Sequence, residues 1–217
     1  MLAAHSRTAV DVGALRQALC TANASTLCAI CAGQWPCGTD ANWLPLHVAA
    51  WQNRHVDAVQ LLLDSGEALQ LQAQDSNGSI ALHWASEQNS NVEVVRLLLD
   101  RGGAEQLAAQ NKHGCIALHY AAQHNSNVEV VRLLLGRGCP RSSTDRRGAS
   151  PLDLALRAST NRTEKLQLLI EAGAALDGVM RRLPPSLQAT ARSVSVSSVL
   201  LSYFADNVTA LGAAVRP

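Results

Sequence analysis

The segment SNVEVVRLLLDRG at 90–102 returns almost letter for letter as SNVEVVRLLLGRG at 126–138, a displacement of 36 residues. The phrase IALHWASEQN at 80–89 returns as IALHYAAQHN at 116–125 with the same displacement. One unit earlier stands LPLHVAAWQN at 44–53, and a fourth version, SPLDLALRAS at 150–159, leads into LQLLIEAGA. Glycines keep step at Gly78, Gly114 and Gly148, and again at Gly66, Gly102, Gly138 and Gly173 after each leucine-rich run. A unit of this size cannot bury its apolar face alone, so such a chain must fold as a stack of neighbours rather than around one closed core.

Each unit reads as two short helices. In the second copy Leu82, Ala85 and Ser86 fall at i, i+3 and i+4, a small-residue face that lets helices approach closely. After an Asn-Ser-Asn turn, Val92, Val95, Leu98 and Leu99 form an apolar stripe at helical spacing, with Glu93 and Arg96 three apart on the solvated side. Gly102 is expected to supply the left-handed residue that ends this helix. The stretches that follow, up to Asp75, Asn111 or Asp145 and the next glycine, are polar and suited to hairpin-like loops.

The phrases LPLHVAA, ALHWAS and ALHYAA, each followed by a V-x-x-V-x-LLL-x-x-G helix, resemble the ankyrin repeat over residues 39–175. The resemblance implies an all-α solenoid of stacked helix-turn-helix units with hairpin-like loops, here divided at 39–74, 75–110, 111–144 and 145–175. The family's Thr-Pro before Leu-His reads Leu44-Pro45, Ile80-Ala81, Ile116-Ala117 and Ser150-Pro151, so three copies lack the hydroxyl that would cap the first helix. The units also exceed the family's usual length, with one extra residue placed in the turn between helices and two in the loops 67–74 and 103–110. The register extends to a Cys-rich degenerate cap at 1–38, a decayed fifth unit or C-terminal cap at 176–204 and a tail at 205–217.

Composition narrows the function. The chain carries 18 Lys+Arg against 17 Asp+Glu, too balanced for a basic field that engages nucleic acid or a membrane surface. Aromatics are only 3%, which leaves the core to Leu, Ala, Val and Ile and favours close-packed helices over a β-sandwich. The opening MLAAHSRTAVDVGALRQAL has no apolar run of signal-peptide length, so an intracellular setting, cytoplasm or nucleus, and reduced cysteines are expected. The mildly apolar stretch 193–215 is broken by Asp206 and Asn207 and reads as a core or cap segment rather than a membrane span.

Two groups of residues invite a metal. His47, His83 and His119 stand at matching positions, but equivalent residues of stacked units lie about 8–10 Å apart, and zinc draws its ligands to about 2 Å of one centre. The resemblance makes this histidine a fold element that bonds backbone near the hairpin, and Asp153 replaces it in the fourth copy. Cys20, Cys28, Cys31 and Cys37 include the pair C-A-I-C and leave a zinc-binding or redox role open, against a reading as small hydrophobes of a cap helix. No nucleotide-binding or hydrolase motif of known spacing occurs, so neither catalysis nor a cofactor is expected.

The resemblance implies binding of another protein through the hairpin tips and the concave row of first helices. In this register the first helices offer Trp51, Gln52, Glu87, Gln88, Gln123, His124 and Arg157. The tips offer Trp43, Asn77, Lys112, His113, Arg146 and Arg147. The tips also grade in charge, from Asp40 and Asp75 to Lys112, Arg141, Arg146 and Arg147, which points to an extended partner segment with acidic residues over the third and fourth units and an apolar anchor near Trp51. A substrate receptor of a ubiquitin ligase is the alternative, carried by the helical, leucine-containing tail LPPSLQATARSVSVSSVLLSYF.

Overall fold

A computed structural model of the chain describes residues 45–52, 56–64 and 71–175. Four helix pairs follow one another: α1 (Pro45–Gln52) with α2 (Val56–Asp64), α3 (Ala81–Gln88) with α4 (Val92–Gly102), α6 (Ala117–Gln123) with α7 (Val128–Gly136), and α8 (Pro151–Ala155) with α9 (Arg162–Glu171). A further short helix, α5 (Glu105–Ala108), lies between the second and third pairs. The first helices stack as an inner row, α1 on α3 on α6 on α8, and the second helices as an outer row, α2 on α4 on α7 on α9. Among the described residues there is no strand, and no helix is long and apolar enough to cross a membrane. The proposed caps at 1–38 and 176–204 and the tail lie outside the described residues.

The apolar periodicity places the core. Leu82, Ala85, Val95, Leu98 and Leu99 are buried as their spacing requires, and so is Val94, which the helical stripe omitted. An outer helix touches its inner partner and the units on either side, so its buried arc is wider than one stripe. In the fourth unit the counterpart of Val94 and Val130 is Lys165, fully buried and with no hydrogen-bond partner for its Nζ among the described residues. Burial pushes the Lys165 amine down to about 8. Lys165→Val is therefore expected to raise the stability of the stack by about 1–2 kcal/mol at pH 7. The gain should shrink above pH 8, where the native amine sheds its proton while the unfolded one keeps it, a trend that urea melts at several pH values would follow.

Asparagines tie one inner helix to the next. Asn89 Nδ2 donates to Ala50 O at 2.9 Å, and Asn125 Nδ2 donates to Ser86 O and Asn89 O at 3.0 Å each, which serves carbonyls that a helix end leaves orphaned. Asn91 and Asn127 cap the outer helices, accepting from Glu93 N at 3.1 Å and Glu129 N at 3.0 Å. Ion pairs also link the outer row, Arg101 to Asp64 at 2.6 Å and Arg137 to Asp100 at 2.7 Å, while Arg96–Glu93 and Arg132–Glu129 pair within a helix. All four are solvent-exposed, so each contributes at most about 1 kcal/mol.

The inserted residues depart from a plain hairpin loop. In 103–110 they form α5, whose Gln106 is buried and donates from Nε2 to Leu71 O of the preceding connector at 3.2 Å. This also corrects the role expected of Gly102. That residue is the last of α4, and a Cβ on it would lie 2.0 Å from Gln106 Nε2, so a side chain there would displace the Gln106 amide from its place. The glycine of positive φ that ends the helix is Gly103, at φ 70° and ψ −173°. In the later units Gly138 and Gly173, at φ 85° and 80°, do take the left-handed conformation.

The candidate protein-binding cleft

Each tip is organised by one side chain, buried at Asp75 and Asn111 and half-buried at Asp145. Asp75 Oδ1 accepts from Asn77 N and Ser79 N at 2.8 Å each, Asn111 Oδ1 from His113 N and Cys115 N, and Asp145 Oδ1 from Arg147 N and Ala149 N. Successive tips are joined by backbone, Lys112 N to Asn77 O and Arg146 N to His113 O, both at 2.9 Å. Gly78 and Gly114 permit that approach: both have positive φ, and a Cβ on either would meet the next tip's backbone nitrogen at 3.1 and 3.0 Å. Asp75 is thus a buried organiser and not the surface charge that the graded-charge reading assigned it. Asp40, the other early acid, lies outside the described residues.

The repeated histidines bind each unit to its successor. Ile80 N donates to His83 Nδ1 at 3.1 Å, and His83 Nε2 donates to Ala109 O and Cys115 O at 3.1 Å each. His119 repeats this with Ile116 N and Ala149 O, and His47 Nε2 reaches Ala73 O. The ring nitrogen therefore takes the N–H at the start of the helix, as the Asp153 carboxylate does in the fourth unit, while the N–H that a threonine hydroxyl would take goes to backbone, His83 N to Ile80 O and His119 N to Ile116 O. Burial holds all three imidazoles below their usual range, His83 at about 4, so they are neutral at pH 7 and already committed to backbone. Among the described residues no group of His, Cys, Asp and Glu is placed to hold a metal ion. In the fourth unit Ser150 and Asp153 form a capping box: Asp153 N donates to Ser150 Oγ at 3.2 Å, and Ser150 N and Oγ donate to Asp153 Oδ2 at 3.0 and 2.8 Å.

In the second and third units the residue after the histidine fills space beside the tip. Trp84 Nε1 donates to Asp75 Oδ2 at 3.0 Å, and Tyr120 Oη accepts from Asn111 Nδ2 at 2.7 Å, so each ring fills the corner between its inner helix and its tip. Leu154 stands at that position in the fourth unit and has no polar atom to offer the tip. There a cleft of about 360 Å³ opens between the third and fourth units, with His113, Arg146 and Arg147 on the tip side and Gln123 and Arg157 on the helix side.

Of the residues expected to meet a partner, Asn77, Gln88, Lys112, His113, His124, Arg146, Arg147 and Arg157 are exposed, and Glu87 and Gln123 are half-buried. His113, Gln123, Arg146, Arg147 and Arg157 come together in the cleft, whereas Asn77, Glu87, Gln88, Lys112 and His124 do not line it. Lys112 lies back along the preceding tip, with Nζ on Ser76 O at 2.7 Å. Trp51 is half-buried rather than presented, its ring edge-on to Trp84 with centroids 6.1 Å apart, because the two indoles cover the junction between the first two units. Trp43, the side chain of Gln52 and the cluster Cys20, Cys28, Cys31 and Cys37 lie outside the described residues. The sequence reading missed Tyr120 and Leu154, although the change from Trp to Tyr to Leu after the repeated histidine was there to be seen.

No curated protein matches the chain. A family model for ankyrin repeats in three copies matches residues 17–110 and again 104–178. With the matches running from residue 17 to residue 178 of 217, the chain belongs to the ankyrin repeat family.

Proposed function

We propose that the chain is an adaptor or scaffold whose tips and inner helices receive an extended segment of a partner protein, with acidic residues of that segment seated between the third and fourth units. Ankyrin repeats are generally protein-binding modules and typically non-enzymatic, which supports the class. The distribution of arginine partners supports the location. Arg96, Arg101, Arg132 and Arg137 of the outer row each hold a carboxylate. Arg146, Arg147 and Arg157 line the cleft, and none of them forms an ion pair among the described residues. Unpaired guanidiniums gathered on one side of a stack are complementary to an anionic partner. The setting proposed is intracellular, in keeping with the unpaired thiols of Cys115 and Cys139.

The test is affinity purification with the wild type and with Arg146→Glu, Arg147→Glu, both residues being exposed and outside the core. A partner captured by the wild type and weakened by rising salt should be lost in the variant, which corresponds to at least about a tenfold drop in affinity. Equal capture with the same salt dependence would remove the cleft from the interface.

A further inference from the structure

We infer that the cleft between the third and fourth units recognises a phosphorylated side chain of the partner segment. This rests on the protein-binding reading and narrows what is bound. Arg146 and Arg147 line the cleft from the tip and Arg157 from beyond the end of α8, so three arginines border one space from two points of the chain. Asp145 is the carboxylate of the lining, and its Oδ1 is already turned to its own tip, accepting from Arg147 N at 2.9 Å and Ala149 N at 2.8 Å. Three positive charges against one negative leave a local excess of two.

A single carboxylate offers one charge and two oxygens in a plane. A phosphate monoester offers roughly −1.5 to −2 charge at pH 7 and three acceptor oxygens in diverging directions, which suits donors that arrive from different walls. The His113 ring adds a further polar group on the tip side. At about 360 Å³ the cleft also holds the carbon skeleton that carries the phosphate, and the Tyr120 ring and the Leu154 side chain give that skeleton an apolar wall. The site is therefore built for a phosphate on an organic stem, with an aromatic stem making the fuller contact.

The test uses the full chain labelled with nitrogen-15 and titrated with phenyl phosphate, benzoate and inorganic phosphate. Phenyl phosphate should shift the amides of His113, Arg147 and Arg157 saturably, and bind about tenfold or more tightly than either control. Arg157→Gln should weaken phenyl phosphate by about tenfold while leaving the thermal melt unchanged, since the side chain is exposed. Benzoate binding as tightly would reduce the site to a carboxylate cleft, and inorganic phosphate binding as tightly would remove the side chain from the recognition. Shifts spread equally over Lys112 and Arg141 would show diffuse attraction, and an unaffected Arg157→Gln would take Arg157 out of the site. Each of these overturns the inference. Partner capture that survives phosphatase treatment, yet disappears in Arg146→Glu, Arg147→Glu, would leave the binding module standing without phosphate recognition.

Discussion

Substitution of His83 by leucine is expected to lower the unfolding free energy by about 4 kcal/mol. The volume change is small, so the loss comes from hydrogen bonds. His83 is 1% exposed, and its ring serves the Ile80 N–H, the Ala109 carbonyl and the Cys115 carbonyl. Leucine would leave the buried Ile80 N–H and the part-buried Ala109 carbonyl without the ring, each at a penalty of about 1–3 kcal/mol, while the Cys115 carbonyl keeps its bond from Asn111 N. The acceptors belong to the connector and tip of the next unit, so the variant should also uncouple the second and third units and broaden the urea transition followed by circular dichroism. A second variant, Ile80→Ser with His83→Asp, transplants the capping box of Ser150 and Asp153. It should restore the helix start without the reach across to Ala109, and recover about half of the loss. Full recovery would mean that the histidine acts only as a cap.

Acidification should weaken the stack by about 3 kcal/mol between pH 6.5 and 4 through His83 alone. Burial lowers the His83 imidazole to about 4, against the charge of Asp75, which favours the protonated form. Over that interval the unfolded chain binds the proton and the native chain does not, so stability is complete above pH 6.5 and is lost as pH falls towards 4. His47 and His119 are lowered for the same reason and act in the same direction. Denaturant midpoints measured from pH 7.5 to 4.5 should fall steadily, and less steeply in the His83→Leu chain. A flat profile would mean that the rings are protonated in the native state and that Nδ1 does not accept from the Ile80 N–H.

What the sequence revealed was whatever recurs by spacing. The helix pairs, the buried leucines and valines, the tip glycines and the backbone-bonded histidines all follow from a period of 36 residues and a helical repeat of apolar positions. The features that escaped depend on partners about one unit away. Four residues such as Glu105–Ala108 carry no helical signal of their own, and they hold because Gln106 finds Leu71 in the preceding connector. Asn89 and Asn125 read as turn residues, which is their usual preference, and nothing local announced that they bond to Ala50 and Ser86. Trp51 looked presented because helical phase marks a direction, and Trp84 of the next unit lies in that direction. The cleft itself was half legible: its arginines stand in the sequence, but the space among them depends on Leu154 replacing the tryptophan and tyrosine of earlier units.

The division of labour within each tip bears on how such a chain can evolve. Asp75, Asn111 and Asp145 hold the loops closed through their side chains, while Asn77, His113 and Arg147, two positions later, are exposed, and the join between tips runs through the backbone carbonyls of Asn77 and His113. Mutation at the second set leaves the interior almost untouched, so its effects on folding should stay within about 0.5 kcal/mol. A lineage carrying this stack can thus drift from one partner to another through single exposed substitutions, each step passing through a folded protein.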